Sequence, residues 1–227
     1  MKGLFITSAS TSAGKTYVTR GLARSLGLRG RRVAALKPIE TGCMPAALDA
    51  LALATAAHEP GLAEAGCFYR AALPLAPYAV ELATGQDPPD VAAIANHAHA
   101  LEADYDRILI EGAGGLLAPI DRRRSMADLA AALDYPLLLV APDRLGVLSY
   151  VLTAAEAARS RGLSILAIVL TQLDFELSEA SYETNALILS ERLALPVLRF
   201  PHVPDDDDAL ASAAISCGLA HALGLWD

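Results

Sequence analysis

The sequence predicts an α/β fold: a single domain over residues 1–227, built as a P-loop-like parallel sheet covered by helices on both faces. Three features of the chain predict it. Short, near-continuous apolar runs such as Pro136–Val140 and Ser164–Thr171 suit strands that are buried on both faces. Each run is followed by a stretch of helical periodicity, the alternation that builds a parallel sheet. The first run, Gly3–Thr7, passes through the small residues Ser8–Ala13 into Gly14-Lys15-Thr16, the strand–loop–helix arrangement of a phosphate-binding P-loop.

Taken in order, Gly3–Thr7 is the first strand and Lys15–Leu28 the first helix. Arg29-Gly30-Arg31 turns the chain into a second strand, Arg32–Lys37, which Pro38 stops. A small helix is expected at Leu48–His58, and the segment Gly66–Gly85, with Pro74 and Pro77, reads as a surface loop. Pro88–Asp104 reads as a helix with Asp87 as its N-cap and Pro in its first turn. Tyr105–Ile110 is a strand ending at Glu111-Gly112-Ala113-Gly114-Gly115. Three further helix–strand pairs follow: Met126–Leu133 with Pro136–Val140, Leu145–Arg161 with Ser164–Thr171, and Leu177–Leu193 with Pro196–Phe200. A last helix covers Asp208–Leu223.

Composition narrows the class. Hydrophobic residues make up 54% of the chain and charged residues 19%, yet no apolar stretch reaches the roughly 18–20 residues of a membrane span. The N-terminal apolar run is a strand rather than a signal peptide. A net charge of −8 argues against nucleic acid as a partner. Cys43, Cys67 and Cys217 show no metal-ligand or disulfide spacing, which fits a reducing, cytoplasmic compartment.

In parallel sheets ligands gather at the carboxyl ends of the strands. The chain places polar and Gly-rich residues at those ends: the P-loop, Lys37, Glu111, Pro142-Asp143-Arg144, Gln172 and the Pro201–Asp208 loop. P-loop backbone N–H groups and the helix dipole favour an anion there. Lys15 can reach terminal phosphates, and the Thr16 hydroxyl can ligate Mg²⁺. Where the usual pattern has Gly, five residues before Gly14, stands Ala9, preceded by Ser8. Lys37 adds a second ammonium beside the P-loop, Glu111 a metal carboxylate, and Asp49 a further oxygen ligand that also suits a helix start. The Asp205–Asp208 run reads as a solvated loop whose last members cap the final helix.

These segments, in order over nearly the full length, resemble the dethiobiotin synthetase family. They are the Thr11-containing P-loop ending Gly14-Lys15-Thr16, Lys37-Pro38-Ile39-Glu40-Thr41-Gly42, Asp49–Leu53, Leu73–Tyr78, Glu111–Gly115 with Ala118-Pro119-Ile120, and Leu145-Gly146. The resemblance implies an ATP-dependent cyclo-ligase of biotin biosynthesis. It would carboxylate 7,8-diaminopelargonate with CO₂ and close the ring through a carbamic–phosphoric anhydride.

In family terms Lys15 and Lys37 are catalytic, and Thr16, Asp49 and Glu111 hold Mg²⁺. Ser12, Ala13, Gly14, Lys15, Thr16, Tyr17, Glu111, Gln172, Pro201, Val203 and Pro204 bind ATP. Thr11, Lys37, Thr41, Gly114, Gly115, Leu116 and Ser149 meet the substrate. A homodimer with the site near its interface is also implied. The chain departs from the family pattern at Ser8 for Gly, at Val147, Ser149 and Tyr150, at Gln172 for an adenine-contacting Asn, and at Arg144 for Lys. A diverged ATP-dependent ligase is the alternative those departures suggest. A ParA/MinD-like ATPase switch is a second alternative, although Ser10 stands where that group carries its signature Lys.

Overall fold

The computed structural model describes residues 1–172 and 179–225, with no account of side chains at 179–181. Six strands form one sheet in the order β2-β5-β1-β6-β7-β8, and every pairing is parallel. They are β1 (Gly3–Ser8), β2 (Val33–Leu36), β5 (Arg107–Glu111), β6 (Leu137–Pro142), β7 (Ile165–Thr171) and β8 (Val197–Phe200). Helices cover both faces, as the sequence predicts. On one face α1 (Lys15–Gly27) packs with α2 (Leu48–Ala56), α8 (Asp207–Ser216) and α9 (Leu219–Ala222) over Leu4, Ile6, Leu109 and Val140. On the other, α4 (Val91–Leu101) and α5 (Met126–Leu133) cover Phe5, Ile108 and Ile110, while α6 (Val147–Arg159) and α7 (Glu179–Leu193) cover Leu139, Ile168 and Leu170.

The apolar strands are buried along their whole length in β1, β2, β5 and β6. That explains why they read as continuous runs rather than as alternating patterns. Two close approaches need glycine. A Cβ on Gly21 would lie 2.5 Å from the Leu210 carbonyl oxygen, and one on Gly3 would lie 2.3 Å from the Tyr135 ring. Gly21 therefore sets how closely α1 meets α8.

Four expectations are corrected. The segment Gly66–Gly85 is not a plain loop: it holds β4 (Tyr69–Ala71), which pairs with β3 (Ile39–Thr41) as a second, two-stranded parallel sheet, and α3 (Pro77–Thr84). Pro77 starts that helix at its first position, where the missing N–H costs nothing. Asp90 rather than Asp87 caps α4, accepting from the Ala93 N–H at 3.0 Å, because Pro88-Pro89 delay the helix. The helix after Leu145 begins at Val147, with Gly146 left-handed at φ 94°. The last helix is broken in two by Gly218 at φ 71°. The predicted start at Leu177 lies outside the described residues.

Candidate active site

Register builds the site. In the parallel pairing of β2 with β5, Leu36 lies opposite Ile110, and in that of β1 with β5, Ile6 lies opposite Glu111. The next residue on β2 is therefore Lys37, brought level with Glu111 while β1 runs on past it into the P-loop. The outcome is a tight cluster. Lys37 Nζ donates to Glu111 Oε1 at 2.7 Å and to Asp49 Oδ2 at 2.5 Å. Thr16 Oγ1 donates to the same Glu111 oxygen at 2.9 Å.

Glu111 is fully buried, and its second carboxylate oxygen, Oε2, has no hydrogen-bond partner among the described residues. Burial alone would lower the pKa of Lys37; Glu111 and then Asp49 outweigh it and hold the ammonium above its ordinary range. For Lys15 burial dominates, so its pKa is lowered, with Glu111 and Asp49 opposing and Lys37 adding to the shift.

The P-loop closes without a glycine at position 8. Ser8 is the last residue of β1, is fully buried, and is not among the residues with positive φ. Its Oγ lies 2.6 Å from the Ser10 carbonyl oxygen and 2.9 Å from that of Gly114, and it accepts from Lys15 Nζ at 3.1 Å. The hydroxyl thus joins the P-loop lysine to the Gly-rich turn after β5. The left-handed positions fall further on, at Ser12 (φ 52°) and Gly14 (φ 81°), and Thr171 Oγ1 donates to the Ala13 carbonyl at 2.9 Å.

Most predicted site residues line one cleft of about 640 Å³. Thr11, Ser12, Ala13, Gly14, Lys15, Thr16, Tyr17, Lys37, Thr41, Asp49, Glu111 and Gly114 all contribute to its wall. Gln172, Pro201 and Val203 line a smaller cavity of about 190 Å³, which shares Tyr17 with the cleft. Pro204 lines neither; its carbonyl accepts from the Asp206 N–H at 2.9 Å. Gly115, Leu116 and Ser149 lie apart from the cleft. They line a groove of about 460 Å³ whose floor includes Ser8, Ala9 and Ser10, so the P-loop lies between the two.

Sequence reasoning missed Glu40 and Arg20, both on the cleft wall. Glu40, on the short β3, accepts the Asp49 and Ala50 N–H groups at 3.0 and 2.8 Å, capping α2 from a separate strand. The residue at the N-cap position itself, Ala47, has no side-chain acceptor. No alternation in the three-residue β3 signals it, since Ile39 and Glu40 are both buried. Glu40→Ala is expected to lower stability by about 1–2 kcal/mol, roughly 2–8 °C in Tm, and to reduce turnover as Asp49 loses its fixed place. A thermal melt beside a steady-state assay checks both, and an unchanged melt would show that the cap contributes nothing.

The fold is shared with solved P-loop proteins. MinD of Pyrococcus furiosus superposes with a TM-score of 0.56 at 19% identity, covering 94% of this chain and 89% of that one. MinD in the MinC:MinD complex of Aquifex aeolicus gives 0.58 at 13% identity, covering 94% and 86%. Those likenesses concern the fold alone. The family model described as "AAA domain" matches residues 2–209.

The ATP-dependent dethiobiotin synthetase of Anaeromyxobacter dehalogenans (strain 2CP-C) is 39% identical over 209 residues, 90% of this chain and 92% of that protein. The chain belongs to the dethiobiotin synthetase family. A second member, from Aquifex aeolicus (strain VF5), is 32% identical over 202 residues, 89% of this chain and 90% of that protein. Membership of the dethiobiotin synthetase family makes the chain an enzyme of the ligase class. The MinD likeness is one of fold, and Ser10 stands where the second alternative of the sequence reading expects a lysine. Among the described residues no helix is long and apolar enough to cross a membrane.

Proposed function

We propose that this chain, acting as one domain over residues 1–227, makes dethiobiotin from 7,8-diaminopelargonate, CO₂ and ATP with Mg²⁺, in biotin biosynthesis. The observation that carries the reading is the Lys37 ammonium held between Asp49 and Glu111 beside the P-loop, with the buried Lys15 ammonium in the same cleft, donating to Ser8 Oγ. One amine of the diamine takes up CO₂ as a carbamate. A carbamate oxygen then attacks the γ-phosphorus of ATP, the bond to the β–γ bridging oxygen breaks, and ADP leaves. The second amine attacks the carbonyl carbon of the resulting anhydride, closing the ring and expelling phosphate.

Each of these steps gathers negative charge on oxygens between the two lysines. Preorganised positive charge in a site shielded from water lowers that barrier most, since phosphoryl transfer asks mainly for positioning and charge stabilisation. Thr11 and Thr41 on the cleft wall face the carbamate end. Gly114, Gly115, Leu116 and Ser149 take the diamine, whose chain runs into the groove beyond the P-loop. The nucleotide lies along Ser12–Tyr17, with its base against Gln172, Pro201 and Val203.

The residues present fit Mg²⁺. Thr16 Oγ1, the Asp49 carboxylate and the unpartnered, buried Glu111 Oε2 supply hard oxygen donors in one place, and Mg²⁺ characteristically takes one or two carboxylates plus phosphate oxygens and water. When bound, it would offset charge on the phosphate oxygens.

A homodimer is supported by the exposed Leu145, Leu117 and Tyr150 beside the substrate groove. The three free thiols support a cytoplasmic setting. Incubation with diamine, bicarbonate, Mg²⁺ and ATP should release phosphate only when all four are present. Phosphate release that ignores the diamine would overturn the proposal.

A further inference from the structure

The Asp205–Asp208 run is not a free acidic loop. Every carboxylate in it is engaged. Asp206 accepts from the Ala209 N–H at 2.9 Å and caps α8. Asp208 accepts from Arg24 Nε at 2.8 Å. Asp205 and Asp207 both turn to one side chain: Arg20 Nη1 meets Asp205 Oδ1 at 2.5 Å, while Arg20 Nε and Nη2 both meet Asp207 Oδ1 at 2.8 Å.

Arg20 lies one turn beyond Thr16 on the helix that follows the P-loop, and its side chain is 14% exposed. Its neighbour Gly21 is a close approach of α1 to α8, where a Cβ would lie 2.5 Å from the Leu210 carbonyl oxygen. Arg20 and Asp205 both line the large cleft, while Tyr17 lines the cleft and the smaller cavity alike. The clamp therefore fastens the loop Pro201–Asp207 to the same helix whose N-terminus faces the phosphates. A guanidinium shared by two carboxylates fixes direction as well as distance, since its donors form a planar fork.

We propose that Arg20 is a positioning residue for nucleotide selection: through Asp205 and Asp207 it holds the loop that forms the base-side wall at a fixed distance from the P-loop. This rests on the reading that Gln172, Pro201 and Val203 receive the base. Ordering that wall before the ligand arrives removes a cost from binding the nucleoside part and leaves the triphosphate part untouched.

The test compares ATP with inorganic tripolyphosphate, which carries the phosphate chain and no base, by titration calorimetry on the full chain with Mg²⁺. The unmodified protein is expected to bind ATP more tightly than tripolyphosphate. Arg20→Ala and Asp205→Asn are each expected to weaken ATP by about tenfold, the loss of a preformed wall, and to leave tripolyphosphate within about twofold. Arg24→Ala, which releases Asp208 and His58 but neither Asp205 nor Asp207, should change neither. Asp205 is 59% exposed, so Asp205→Asn keeps the test alive if Arg20→Ala fails to fold. Equal loss of both ligands would show that Arg20 touches the phosphates, and loss of neither would show that the clamp is idle; either result overturns the proposal. If the unmodified protein binds the two ligands equally, the base-site reading itself falls, and the proposal with it.

Discussion

Replacing Lys37 with alanine is expected to reduce diamine-dependent phosphate release by about a thousandfold, the upper range for removing one preorganised charge donor. Lys37 is one of two ammonium groups in the cleft, and it is held by Glu111 and Asp49 at hydrogen-bond distance. The same change should also soften the fold. Glu111 is fully buried and would keep only the Thr16 hydroxyl. Removing one partner of a buried ion pair costs about 3–5 kcal/mol. For a chain of 227 residues that is a fall in Tm of roughly 6–20 °C. Single-turnover phosphate release, read at a temperature that the thermal melts show to be below both transitions, separates the two effects. Near-normal turnover in the folded variant would mean that Lys37 serves only to neutralise Glu111.

The second large effect is expected from Glu111→Gln. The shape is kept and one charge is lost. Phosphate release should fall by about a hundredfold or more, and the Mg²⁺ concentration needed for half-maximal rate should rise by about tenfold, as one of the two carboxylates proposed for the metal becomes a neutral amide. The melt should move much less than for Lys37→Ala. Lys37 retains Asp49 as its partner. Glu111 also carries an unpartnered buried oxygen in the native protein, a cost of about 1–3 kcal/mol that exists before any substitution. An inactive protein with a near-native melt is the pattern of a residue kept for chemistry at the expense of stability. An unchanged Mg²⁺ dependence would remove Glu111 from the metal set.

The contrast between these two variants follows from how the cluster is wired. Lys37 is the hub: it satisfies two carboxylates, so its loss is felt by both. Glu111 is a spoke with one oxygen engaged by Lys37 and Thr16 and the other left over. Glu40 acts one step further out, placing Asp49 by capping α2 from β3.

Much of this was legible in the chain. Strands β1, β2, β5 and β6 of the main sheet read correctly because full burial leaves continuous apolar runs, and the P-loop read correctly because Gly-Lys-Thr stands between such a run and a helix. Lys37 and Glu111 stood out as charged residues at the ends of apolar strands. Gly66–Gly85 did not read correctly, since three-residue strands such as β4 are too short to show a period and a Pro that begins a helix looks like a Pro that prevents one. Ser8 looked like a flaw in the loop, but it is an extended residue whose hydroxyl receives Lys15. No one-dimensional pattern distinguishes those two.

By itself, then, the sequence determined the class of fold, the phosphate-binding turn and the identity of the charged strand ends, because those follow from local periodicity and from the few conformations open to short loops. Only the tertiary structure decided which ends meet. The order β2-β5-β1 puts Lys37 beside Glu111 and both beside Thr16, although 74 residues separate the two members of that ion pair. It also turned four consecutive aspartates into a clamp and a cap, and separated the predicted substrate residues into two spaces divided by the P-loop. The physical reason is that strand order and side-chain partners are set by the packing of distant apolar faces, and charge pairs form wherever that packing brings them.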